Sequence, residues 1–513
     1  NGRFSKDYND ITNMTWSNIL TYQTKIKKKH NLDLLAGYEI NSKESDGLGT
    51  TISNFARWDK PEVNNGVVYQ SMGGSNSTTR IVSYITRANY DYDNKYYLGA
   101  SWRTDGSSRL ARENRWGNFW SLSGAWRVSS ESFMKPLQNW LSDLKLRVSY
   151  GVNGTLPSSY YGYMGLSSLT SNYNDNPGIK QSQLENKELT WETNYNFNSG
   201  IDLGFFDNRL NVTFEYYVRT TKNLLYSRPL SLATGFSSYL ANIGKLQNKG
   251  YELEIRSTNI ETKDFRWSTS LNLGHNANKI LKLDGDLKQV TSGTSIHKVG
   301  LPYSTYYMIE FAGIDPVDGE PMFYKNTTDE NGNLNKETTK DPRSAEKVIL
   351  QCADPTITGG LGNSISYKWF DLNFNVNFSF GAWNYDGAAG KLEHGGDGTL
   401  NIPIYYRKRW QKEGDETSIE RFVVGRSISM TDYATTRRLY SGDYVRLKNL
   451  TFGFTLPKTW TRKVGIDNIR LYASGNNLLT WAAYDYIDPE SGSSPSWDTP
   501  PMRTYTFGLE VKF

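Results

Sequence analysis

At 513 residues the chain exceeds the roughly 250 to 300 residues at which one hydrophobic core usually stops growing, so it holds several domains or an architecture that escapes core scaling. Apolar residues make up 37% and aromatics 14%, with 35 Tyr, 21 Phe and 15 Trp, a composition that excludes disorder. A formal charge of +5 over 58 basic and 53 acidic side chains, with no long basic block, argues against a nucleic-acid partner, and the lone Cys352 excludes a disulfide framework.

Taken in chain order, the elements read as β-strands. Period-2 patterns run near residues 13 to 28, 30 to 45, 79 to 92, 95 to 105 and 118 to 130. Leu144, Leu146, Val148 and Tyr150 then alternate with Lys145, Arg147, Ser149 and Gly151. From Leu189 to Phe205 the odd positions include Leu189, Trp191, Tyr195, Phe197, Ile201, Leu203 and Phe205, while the even ones include Glu192, Asn194, Asn196, Asn198 and Asp202. Successive side chains of a strand point to opposite faces, so this segment has one greasy and one wet face. The same rule marks 210 to 219, 245 to 258, 265 to 273, 357 to 369, 370 to 380, 441 to 456 and 467 to 480. Between Leu447 and Leu450 the apolar phase switches from odd to even, which predicts a β-bulge or a change of environment near Asn449. The last strand, Thr504 to Phe513, carries Tyr505, Phe507, Leu509, Val511 and Phe513 on one face and is expected to pair with the strand near 467 to 480 on one side only.

About fifteen strands result. Asp93-Asn94 and Asp207-Asn208 join neighbours tightly, whereas long links span Gly154 to Leu189, Lys279 to Thr356 and Tyr385 to Tyr440, the last with room for one short amphipathic turn. Short turns at one rim and long loops at the other are expected of an outer-membrane barrel, whose wall needs apolar residues only at alternate positions. A soluble β-sandwich would show shorter strands and lack the Asn-, Ser- and Thr-rich face of a hydrated lumen. No run of about 18 apolar residues offers a transmembrane helix. Residue 1 opens on polar sequence without the charged and apolar regions of a signal peptide.

With these strands in place, the sequence resembles the SusC/RagA-type TonB-dependent transporters over nearly its whole length. The resemblance is carried by Asn94–Arg109 (NKYYLGASWRTDGSSR), Leu144–Gly154 (LKLRVSYGVNG) and Leu189–Thr193 (LTWET). It continues through Asn242–Gly244, Asn248–Leu253, Phe311–Gly319 (FAGIDPVDG), Gly442–Leu450, Tyr472–Leu478 and the terminal aromatic strand. It implies an all-β transmembrane antiparallel barrel of 22 strands in the cell outer membrane, filled by an N-terminal plug and energised through TonB. It also implies a SusD-like surface lipoprotein as lid, a dimer of SusCD-like pairs, contact with outer-membrane lipids, and glycan or oligopeptide cargo. On that reading residues 1–513 are the C-terminal part of the barrel, beginning near strand 8, with the plug and first strands absent from this chain. A passive porin or adhesin-like barrel is the alternative, and no cofactor or enzymatic activity is expected.

Chemistry is sparse. His30, His275, His297 and His394 form no metal-ligand spacing, and His394-Gly-Gly-Asp397 is suggestive only in isolation. Gly359-Gly-Leu-Gly362 lacks the Lys of a phosphate loop. Asp329, Asn331 and Asn333 open like a calcium loop, but Leu334 and Lys340 stand where Gly and Glu are required, so a solvated turn is expected. Asp315-Pro-Val-Asp-Gly-Glu320 reads as a turn first and a cation site second. The better candidates for ligand or lid contact are aromatics in the long links: Trp383, Tyr385, Tyr405, Tyr406, Trp410 and Trp497.

Overall fold

An antiparallel wall must satisfy every main-chain N–H and C=O through its neighbours, so the alternating segments have to pair in series. The computed structural model describes residues 2–513 apart from 56, 58, 170, 171, 175, 284–286, 330, 331, 397–399, 426–432, 485, 492–498 and 500. Fifteen strands form one sheet in chain order: β1 Arg3–Ile26, β2 His30–Phe55, β3 Gly66–Tyr92, β4 Tyr96–Ser107, β5 Trp116–Arg127, β6 Leu141–Thr155, β7 Glu192–Phe205, β8 Leu210–Lys222, β9 Lys245–Glu261, β10 Phe265–Lys282, β11 Ile357–Tyr367, β12 Phe370–Phe380, β13 Tyr444–Thr455, β14 Asn468–Ala482 and β15 Thr504–Lys512. Each strand read from the sequence has its counterpart, and β15 pairs with β14 as expected, Leu471 opposite Leu509 and Ala473 opposite Phe507. By contact density the chain divides into two units, one of Asn1–Met134, Lys145–Ser199 and Val218–Leu246, the other of Lys135–Leu144, Gly200–Tyr217 and Gln247–Phe513.

In the first unit the apolar positions align across strands. Leu20 lies opposite Ala36, Ala36 opposite Thr86 and Thr86 opposite Trp102, giving one continuous outward face. That face is bounded by two aromatic rows. Near the short turns, His30, Tyr92, Tyr96 and Trp126 follow one another at centroid distances of 4.9, 6.4 and 6.3 Å. Higher up, Trp16, Tyr38, Tyr84 and Trp116 follow at 6.1, 5.2 and 6.3 Å. Tyr38 and His30, like Tyr84 and Tyr92, lie eight positions apart along a strand, about 26 Å at ~3.3 Å per residue. Tilted by about 40°, this becomes about 20 Å of height, close to the apolar band that interfacial girdles flank in a membrane barrel. Among the described residues no helix is long and apolar enough to cross a membrane.

Two expectations need correction. β1, β2 and β3 are 24, 26 and 27 residues long, well beyond the patterns at 13 to 28, 30 to 45 and 79 to 92. Past the outer girdle lipid no longer demands alternation, but the ladder continues through polar and Gly-rich sequence such as Gly47 opposite Ser75 and Gly49 opposite Gly73. The strand expected from Leu189 begins only at Glu192. Leu189 and Trp191 are instead drawn into an apolar cluster with Leu110 and Phe119, and the Trp191 indole donates to the Arg115 carbonyl at 3.0 Å. A side chain replaces the missing ladder there: the Thr190 N–H donates to Asn242 Oδ1 at 2.8 Å, and Asn242 Nδ2 donates to the Thr190 carbonyl at 2.9 Å.

The bulge expected near Asn449 is present. Against β12, Leu447 pairs with Val376 and Asn449 with Asn375, which leaves Lys448 as the extra residue; against β14, Leu447 pairs with Leu479 and Asn449 with Asn476, so Asn477 and Leu478 stand opposite Lys448 and the extra residue is in β14. The tight turns adopt left-handed backbone at Asp93, Asn94, Asp207 and Asn208, which Asp and Asn tolerate well.

Candidate functional site

The links at the rim opposite the short turns are folded pieces. Between β10 and β11, Gln289–Ser292, Ser295–Lys298, Thr305–Ile309 and Lys347–Cys352 form a four-stranded sheet, and Phe311–Ile314, Pro321–Tyr324 and Thr338–Thr339 a three-stranded one. Between β12 and β13, Trp383–Tyr385 pairs with Leu439–Ser441, and a short helix, α1 (Gly387–Leu392), follows with Asp386 as its cap. A short helical turn is thus present in this link.

A buried ion cluster ties the β12–β13 link together. Glu420, wholly buried, pairs with Arg437, and Glu393 pairs with Arg437 at 3.6 Å and Arg438 at 3.3 Å. Tyr406, 1% exposed, donates its hydroxyl to Glu420 Oε1 at 3.0 Å, and Tyr405 donates to Glu393 Oε1 at 2.5 Å. Burial first, then the neighbouring carboxylate, pushes both tyrosine hydroxyls far above their ordinary range, so they remain protonated donors.

Beside this cluster opens a cavity of about 610 Å³ whose lining includes Asp386, Leu392, Tyr405, Tyr484, Tyr486 and Asp488. Tyr405 and Tyr484 each lie 5.3 Å from Tyr486 between centroids, and Tyr440 stacks on Tyr484 at 3.8 Å. The Tyr484 hydroxyl donates to Asp386 Oδ2 at 3.2 Å; burial, then Asp386, raises it and Tyr440 alike. Beneath the rim, Arg446 of β13 bonds Asp488 at 2.6 Å and Glu490 at 2.8 Å, and the bulged Lys448 reaches Glu490 at 2.6 Å. The bulge thus aims a cation at the link after β14.

Of the aromatics singled out in the sequence, Tyr405 alone among the described residues lines this cavity. Trp383 and Tyr385 share one face of the short pairing with Leu439–Ser441, on either side of the buried Asn384. Trp410 donates its indole N–H to the Pro316 carbonyl at 3.0 Å and packs on Gly319, whose φ of +70° and lack of a Cβ let the ring approach. Trp497 lies outside the described residues, as do Asn331 and Asp397. Tyr484, Tyr486, Asp386 and Asp488 were missed, although Tyr484, Tyr486, Asp488 and Glu490 follow closely after β14, a concentration of rings and carboxylates that signals a site.

The Asp315–Glu320 turn is closed by protein groups. Lys340 Nζ bridges Asp315 at 2.6 Å and Asp318 at 2.7 Å, and Arg421 holds Glu320 at 2.6 Å. The Lys340 hydrogen bonds hold both aspartates below the usual carboxylate range. Asp329 accepts from the Asn333 N–H at 2.7 Å, a turn contact. Buried His394 accepts from the Gly396 N–H at Nδ1, leaving Nε2–H to donate to the Leu400 carbonyl at 3.0 Å.

The chain matches the family described as "TonB dependent receptor-like, beta-barrel" over residues 1–478. It is 33% identical over its full length to TonB-dependent receptor P3 of Formosa agariphila, covering 53% of that protein. It is 30% identical over 84% of its length to TonB-dependent receptor SusC of Bacteroides thetaiotaomicron, covering 44% of that protein. Among solved structures, all of the chain superposes on 56% of a chain in the RagAB peptide transporter with a TM-score of 0.87 and 28% identity. The ferripyoverdine receptor of Pseudomonas aeruginosa, at 12% identity and a TM-score of 0.50 over 98% of this chain and 49% of its own, shares the fold. The chain thus spans about half the length of the curated relatives it matches.

Proposed function

Because the chain belongs to the TonB-dependent receptor-like β-barrel family and is of SusC/RagA type, we propose that it forms wall and extracellular loops of an energy-coupled importer of large nutrients. The strands lie in the outer membrane. The energy relay through TonB, the pairing with a SusD-like surface lipoprotein and the import itself are proposed for the protein that carries this wall. Glycans are the proposed cargo.

The observation that carries this reading is the pair of links, β12–β13 and that after β14, that together wall a cavity with tyrosines and carboxylates. A passive pore needs no such formed pocket in its links, whereas capture before transport does. Aromatic rings with a few fixed polar groups are what an oriented ligand requires. A second reading, oligopeptide cargo, is favoured by the similarity to the RagAB peptide transporter.

Uptake of labelled oligosaccharides and oligopeptides into cells with and without functional TonB tests both. Glycan uptake that stops when TonB is removed supports the first reading; peptide uptake with the same dependence favours the second. Uptake indifferent to TonB would reject energy coupling and leave a passive barrel.

A further inference from the structure

We propose that the turn Lys27-Lys28 between β1 and β2 is a docking point for the phosphate of an anionic phospholipid in the inner leaflet of the outer membrane. This concerns how the wall is held in lipid and is independent of the cargo.

Three hairpins of the short-turn rim close through one geometry. The Lys29 N–H donates to the Ile26 carbonyl at 3.2 Å, the Lys95 N–H to that of Tyr92 at 2.9 Å, and the Arg209 N–H to that of Phe206 at 3.1 Å. In each, both central residues have left-handed backbone: φ is 49° and 60° at Lys27 and Lys28, 55° and 54° at Asp93 and Asn94, and 57° and 62° at Asp207 and Asn208. This is the pattern of a type I′ turn, whose central positions favour Gly, Asn and Asp because longer side chains are crowded there. Two of the turns obey that preference. Lys27-Lys28 breaks it, and sets two ammonium groups side by side where they repel. A residue pair chosen against its own backbone points to a function outside the turn.

The protein does not neutralise this pair. Lys29 is held by Asp93 at 3.1 Å and Lys95 by Glu131 at 3.2 Å, so the neighbouring cations of the rim are committed. Lys27 and Lys28 are both exposed, and among the described residues no ion pair or side-chain hydrogen bond reaches them.

Their depth names the ligand. His30, directly after Lys29, begins the aromatic row of His30, Tyr92, Tyr96 and Trp126 that marks this membrane interface. At ~3.3 Å per residue the turn stays within about 10 Å of that row, in the headgroup layer, and long lysine stems let the ammonium groups reach the phosphates. Basic residues at that depth attract lipids with net negative charge, whereas a zwitterionic headgroup brings its own cation to compete for the phosphate. A turn this short does not project toward a polymer deeper in the periplasm.

Native mass spectrometry of the purified full-length protein, titrated with phosphatidylglycerol or phosphatidylethanolamine, reads the affinity for each retained lipid. The decisive variant is Lys27→Asn with Lys28→Gly, which suits the turn better than the natural pair. Its heat-modifiable migration should be unchanged and its thermal stability no lower. Phosphatidylglycerol affinity should fall about fivefold for each lysine lost, while phosphatidylethanolamine is retained as before. Lys27→Arg with Lys28→Arg should keep the preference, and a phosphatidylglycerol with a photoreactive headgroup should label the segment Lys25 to His30. Phosphatidylglycerol affinity indifferent to the Asn-Gly variant, or a less stable Asn-Gly variant, would overturn the proposal. So would displacement of the lipid by an equal concentration of free glycerol phosphate, or lysine-dependent sedimentation with peptidoglycan in place of any lipid preference.

Discussion

Arg446 in strand β13 holds Asp488 at 2.6 Å, a bond that joins the membrane wall to the link after β14 from a side chain only 3% exposed. The same guanidinium donates through Nε to Thr480 at 3.0 Å, so it is oriented from within the wall. Removing one partner of a buried pair leaves the other charge uncompensated, at a cost of about 3 kcal/mol. Arg446→Met should therefore free residues 483–491 while the wall persists. Limited proteolysis of that link beside an unchanged heat-modifiable band is the readout, and a link that stays protected would show that other contacts anchor it.

The ion cluster under Tyr405 and Tyr406 invites a double-mutant cycle. Glu420→Ala leaves Arg437 buried without its nearest carboxylate and should destabilise the β12–β13 link by about 3 kcal/mol. Adding Arg437→Met should recover part of that loss, because the orphaned charge goes with it. Tyr406→Phe removes one hydrogen bond to a charged group and should cost about 1.5 kcal/mol. Hydrogen exchange across residues 404–420 measures all three, and strict additivity of the first two would refute the pairing.

The Asp315–Glu320 turn should respond to acid. Asp315 and Asp318 have folded pKa values lowered by Lys340, so their stabilisation is present above the ordinary carboxylate value and lost as pH falls through the lowered values. The Lys340 pKa is raised by the same bonds, so its contribution is present below its ordinary value and lost only as pH climbs past the raised one. The turn should hold from about pH 5 to about pH 9 and loosen below about pH 4. Exchange of the Gly319 and Arg421 amides, corrected for intrinsic rates, follows this, and Lys340→Met should shrink the acid step to the part that the Val317 and Glu320 amides and Arg421 maintain.

On β15 the two faces should respond differently to charge. Phe507, 84% exposed, pairs with Ala473 on the outward face, so Phe507→Arg places a cation against lipid at about 2 kcal/mol. Glu510, on the other face, has Arg470 at 3.4 Å, and Glu510→Gln should cost under about 1 kcal/mol because the pair is exposed. Urea unfolding of the protein in lipid vesicles compares them, and equal losses would remove the assignment of the two faces.

The wall was legible in the sequence because lipid on one side and water on the other force a period of 2. The bulge was visible for the same reason, as the point where the apolar phase slips beside Lys448. That rule fails wherever one of its two solvents is missing. Above the outer girdle β1 to β3 run on through polar sequence, and Leu189 and Trp191 obey a local apolar cluster instead of the ladder. The cavity was harder to see because its parts lie far apart in sequence: Asp386 and Tyr405 come from one link, Tyr484 and Tyr486 from another, and only the register of β13 and β14 brings them together. Aromatic content drew attention to Trp410 and Tyr406, yet those rings serve the loops' own packing through Pro316 and Glu420.

The placement of short turns at one rim also shapes how such a wall can assemble. Seven pairs of consecutive strands, from β1–β2 to β13–β14, are closed at that rim, and all but β5–β6 and β13–β14 through turns short enough to zip as local hairpins on a scale of about 1 to 10 µs. Joining hairpins costs chain entropy at the other rim. Closing roughly 70 residues between β10 and β11 costs about 3 kcal/mol more than closing the roughly 3 between β9 and β10. The small sheets inside that link shorten its effective length, so they would form before or with the hairpins they join. Strand β15 reaches the edge of β14 across the link 483–503, an intramolecular step that closes a longer loop than the tight turns do.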